Sequence, residues 1–84
     1  MAATKEDISR WFDTGVKKGA THLIVLCDTF DHGDYPKYVM PGDNTQQIVG
    51  AYNKGEFPMQ KVMEVYRLSD NKEKQLNEHR AFNI

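Results

Sequence analysis

Residues 23–26, LIVL, limit the fold more than any other stretch of this chain. Four consecutive large apolar side chains in a strand point alternately to opposite sides, so both sides need at least partial cover. Cys27 extends the run, and Ala20–Phe30 reads as the central strand of a small sheet.

The flanking segments supply what such a strand needs. Thr4–Lys18 has helical periodicity, with Ile8, Trp11, Phe12 and Val16 on one face. Thr4 and Asp7 form a capping-box pair, Lys17 and Lys18 suit the negative end of the helix dipole, and Gly19 suits a left-handed stop. Gly15 costs this helix about 1 kcal/mol relative to Ala. Residues 31–34 make a turn, and Tyr35–Met40 is a second strand. Pro36 cannot donate to a ladder, which places that strand at an edge, antiparallel to the first. PGDN at 41–44 breaks the chain, and Asp43 or Asn44 caps a helix running to Asn53, with Gly55 ending it. Residues 59–68 alternate, with Val62, Glu64, Tyr66 and Leu68 on one side and Lys61, Met63, Val65 and Arg67 on the other. Ser69 or Asp70 caps a last, charged helix reaching Arg80.

The expected fold is a single α+β domain over residues 1–84, ordered α-β-β-α-β-α. Its three-stranded antiparallel sheet has the order 2-1-3, with helices on one face. The other face then shows Lys, Tyr, Met and Arg side chains, a surface for a ligand or a second copy. A core this small also makes a homo-oligomer the expected state.

Eleven basic and 12 acidic residues give a formal charge of −1, which argues against long nucleic acid as a partner. One cysteine allows no intramolecular disulfide and fits a reducing cytoplasm. The N-terminus lacks the apolar core of a secretory signal. The longest apolar run is far below the roughly 20 residues a membrane span requires, so neither a membrane nor an export route is expected.

Residues 27–36, CDTFDHGDYP, hold the densest chemistry. Asp28, Asp31, His32 and Asp34 offer oxygen and nitrogen ligands, yet their spacing matches no calcium loop, and Cys27 with His32 is too few for zinc. Asp and Gly also dominate ordinary turns. Cys27 with His22, His32 or His79 is the nucleophilic alternative, set against a small buried hydrophobe. The six glycines give no phosphate-binding motif. The chemistry therefore favours binding over catalysis, with no cofactor. In a nucleotide-type small molecule, Lys61, Arg67 and Arg80 meet phosphates and Tyr35 and Tyr38 stack on a base. Asp28, Asp31 and Asp34 address the sugar or base, and His32 belongs to the same candidate ligand site.

The segment GATHLIVLCDTFDHGDYPKYV at 19–39, with MQKVMEVYRL and LNEHRAFN later, resembles a family of short bacteriophage and prophage proteins over nearly the whole chain. CDTFD followed by DYP is the most specific part. The resemblance carries no assigned activity and no site residues; it implies an accessory protein in the cytoplasm of a bacterial host. Three expectations follow. The first is a non-enzymatic, oligomeric antagonist of host defence that sequesters a nucleotide-derived signal. The second is an interaction module that binds a host protein through the acidic 28–34 loop. The third is a small metal-dependent or Cys/His enzyme.

Overall fold

A computed structural model of the chain describes residues 3–30, 33–78 and 80–84. The elements are α1 (Lys5–Lys18), β1 (His22–Asp28), β2 (Gly33–Val39), α2 (Thr45–Asn53), β3 (Gln60–Arg67) and α3 (Lys72–Leu76). The sheet is antiparallel throughout with the order β2-β1-β3, so the LIVL strand is central and the expected α+β order holds.

The capping chemistry of α1 is as the residue types imply. The Asp7 amide donates to Thr4 Oγ1 at 3.2 Å, and the Thr4 amide donates to Asp7 Oδ2 at 3.1 Å. Gly19 ends the helix at φ 77°. The Asn44 side chain caps α2 by accepting from the Gln47 amide at 3.0 Å.

The helices do not share one face. α1 packs Ile8 and Phe12 on Leu23, Val25 and Tyr66. α2 packs Val49 on Ile24, Leu26, Val62 and Val65 on the opposite side. The alternation of LIVL required this, because residues 23–26 are each no more than 1% exposed. The crossover from β2 to β3 carries α2 under the sheet while α1 stays above it, so each face carries a helix.

β3 also departs from simple alternation. Leu26 pairs with Val62 and Val25 with Glu64, which leaves Met63 as an extra residue and puts Val62 and Val65 on the same face. The Arg80 guanidinium closes over this bulge, donating to the carbonyls of Met63 (2.9 Å) and Val62 (3.3 Å).

The last helix is five residues long, capped by Asn71, and does not reach Arg80. It offers few apolar residues, and a buried amide docks it instead. Gln75 accepts from the Arg67 amide at 2.8 Å and donates to the Arg67 and Asn71 carbonyls. Beyond it the chain returns beside β3. The Val65 amide donates to the Ala81 carbonyl and the Asn83 amide to the Val65 carbonyl, so this edge is partly covered.

Candidate functional site

The register of β1 and β2 sorts the candidate residues by face. Cys27 pairs with Asp34, and both lie on the α1 side. Leu26 pairs with Tyr35, which packs against the α2-side core. Tyr38, three positions on, faces α1. The two tyrosines therefore lie on opposite sides of the sheet and do not bracket one ligand. The Lys18 ammonium lies 4.8 Å from the Tyr38 ring centroid, capping that ring on the α1 side.

The acidic turn divides in the same way. The Asp28 carboxylate accepts from the Phe30 amide at 2.8 Å, a local Asx turn. The Asp34 carboxylate accepts from the Ala3 amide at 2.9 Å. Asp31 and His32, also expected in the site, lie outside the described residues. On the α1 side, Asp34, Lys61, Glu64 and Arg80 line a cleft of about 330 Å³. Arg67, by contrast, pairs with His22 at the far end of the sheet, contacting Asp70 at 3.7 Å and the Ile84 carbonyl.

The Cys27 thiol is pushed up, first by burial and then by the neighbouring Asp34 carboxylate. This disfavours the thiolate a nucleophile needs. His22 is five positions from Cys27 along β1 and on the other face, so these two build no Cys–His pair. Among the described residues no group of three His, Cys, Asp or Glu side chains is placed to hold a metal ion. No described helix is long and apolar enough to cross a membrane.

His22 instead has a structural setting. Its Nδ1 lies 2.9 Å from Thr21 Oγ1 and 3.0 Å from Thr45 Oγ1 on α2, while its Nε2 is buried with no hydrogen-bond partner among the described residues. Burial lowers its pKa below 6.5, the nearby Arg67 charge lowers it further, and Asp70 opposes. The folded state then binds fewer protons than the unfolded chain, so this contribution to stability is full above about pH 6.5 and is lost on acidification. We expect the urea midpoint to fall between pH 7 and 5.5, and to fall less in His22→Gln. Equal falls in both proteins would contradict the assignment.

The rim at the end of β1 holds residues that the sequence reading did not single out. Phe30 is 76% exposed at the tip of the Asx turn. The Thr29 amide donates to the Met59 carbonyl at 2.7 Å, which sets Met59 beside that turn. Met59 is 55% exposed and has φ 75°, a left-handed conformation that non-glycine residues rarely take. Phe57, exposed nearby in the same connection, stacks on Tyr52 with centroids 4.5 Å apart. The one sequence signal was an aromatic set in an otherwise polar turn.

No family model, no curated protein and no solved structure matches this chain.

Proposed function

We propose that this chain is a non-enzymatic binding protein that engages a protein partner through the rim formed by the 28–30 turn and the 57–59 connection. The observation that carries this reading is Phe30, held almost fully in solvent by the Asx turn. Met59 supports it: a strained backbone and an outward apolar side chain together cost stability, and such costs gather at binding sites. In the setting that the phage resemblance implies, the partner is a host protein met in the bacterial cytoplasm. The homo-oligomer expected for so small a core belongs to the same proposal.

Sequestration of a nucleotide-type molecule is the second reading. It is favoured by Lys61 and Arg80 lining one cleft with Asp34, although Arg80 is engaged with the β3 bulge.

Two variants test the first reading. Phe30→Ser is expected to keep its thermal midpoint and lose the partner captured from host lysate. Met59→Gly relieves the left-handed strain and is expected to gain up to about 1 kcal/mol while binding more weakly. Capture unchanged in both would overturn the rim. A thermal shift that grows with nucleotide concentration and disappears in Lys61→Glu would favour the second reading.

A further inference from the structure

We propose that the outer edge of β2, with the groove beside it on α2, binds one extended segment of the partner as a fourth strand. An apolar side chain of that segment enters between Ile48, Tyr52 and Phe57, and a carboxylate meets Lys37. This deepens the protein-binding reading and rests on it.

The argument starts from the two edges of the sheet. The β3 edge is partly closed by residues 81–83. From Tyr35 to Val39, β2 pairs with β1 alone, and no other described strand pairs with its outer side. Unpaired strand backbone is a template for another strand, so the geometry itself names the shape of the occupant.

A strand added there alternates its side chains between the two faces. On the α2 face they meet a groove of about 450 Å³. Ile48, Ala51 and Tyr52 line it along α2, with Phe57 stacked on Tyr52, and Lys37 and Asp43 add charge. Lys37 makes no ion pair among the described residues, which leaves its ammonium available to a carboxylate.

A second copy is the poorer occupant. Antiparallel pairing of two β2 edges brings together two prolines, each without an N–H, and two lysines of like charge. Pro and Lys on an edge are the usual devices against self-pairing. A partner segment free of both meets only one missing donor.

The test uses a display library of random peptides of about nine residues, the upper range of ordinary strands. Enriched peptides are expected to carry alternating apolar residues with an acidic residue, and to slow amide exchange in β2. Lys37→Glu and Ala51→Arg, which fills the groove with a good helix former, are each expected to weaken binding about tenfold or more. Thermal midpoints of both variants confirm that they fold. No enrichment over a control protein, or peptides indifferent to both variants, overturns the inference. β2 amides protected only by self-association would do the same. The intact partner separates the two proposals. Loss with Phe30→Ser but not with Ala51→Arg removes the groove and keeps the rim, and the opposite pattern removes the rim.

Discussion

Tyr66→Ala is expected to cost about 3–5 kcal/mol, which consumes much or all of the stability of a domain this small. Tyr66 is the largest fully enclosed side chain and is 2% exposed. It pairs with Leu23 across the sheet and meets Phe12 of α1 edge-on, with centroids 6.5 Å apart. Truncation therefore opens a cavity where α1 meets the central strand. The phenol neighbours the Glu64 carboxylate, and burial together with that charge pushes its pKa well up. Glu64 accepts from the Ala81 amide at 3.4 Å, which ties the returning C-terminal segment to the sheet. Tyr66→Phe keeps the ring and removes only the hydroxyl beside Glu64, for an expected loss of about 0.5–1.5 kcal/mol. Urea unfolding of both variants checks the order. Equal losses would mean that the hydroxyl, and not the packing, dominates.

Gly15 gives a prediction whose sign is diagnostic. In an exposed helix, replacing Gly by Ala gains about 1 kcal/mol. Here a β-carbon would lie 2.7 Å from Leu68 Cδ1 and 3.0 Å from Tyr38 Cδ1 and Cε1. Leu68 is buried, and the Tyr38 ring is flanked by Lys18, so neither neighbour yields freely. Gly15→Ala is expected to be neutral to destabilising. Gly15→Val, with two further methyl groups and poor helical χ1 freedom, is expected to lose about 2–4 kcal/mol. A clear gain in Gly15→Ala by chemical denaturation would show that α1 does not approach the sheet this closely.

Gly15 also shows where reading the sequence stops. As a residue it signals only a weakened turn; its reason is a long-range approach between α1, β2 and the end of β3. The order of elements was legible because LIVL, the caps at Thr4 and Gly19, and Pro36 each carry a local physical meaning. The placement of α2 opposite α1 was implicit in the same LIVL run, whose two faces each need cover. The Met63 bulge was not legible: it is set by pairing with β1 and sealed by Arg80, which lies 17 positions away. α3 docks through Gln75, whose buried hydrogen bonds take the place of an apolar stripe.

The candidate site was legible only in part. Strand parity separates Tyr35 from Tyr38, and Asp28 from Asp34, on the sequence alone, once the register of β1 and β2 is fixed. Arg67 sits at the opposite end of β3 from Lys61 because six positions of extended strand separate them. Solvent exposure of Phe30 and the positive φ of Met59 arise from how the 28–30 turn meets the 57–59 connection, which no local pattern encodes.

Both sheet faces carry helices, and recognition is therefore proposed at the rim and the β2 side of the molecule. Photo-reactive phenylalanine placed in turn at Phe30, Phe57 and Phe82 tests this most directly. All three side chains are exposed, at 76%, 44% and 46%, and the analogue is nearly isosteric at each. Irradiation in host cells is predicted to join the same partner protein to positions 30 and 57 and to leave position 82, beside β3, without that adduct. The same adduct at Phe82, or none at Phe30, would contradict the account.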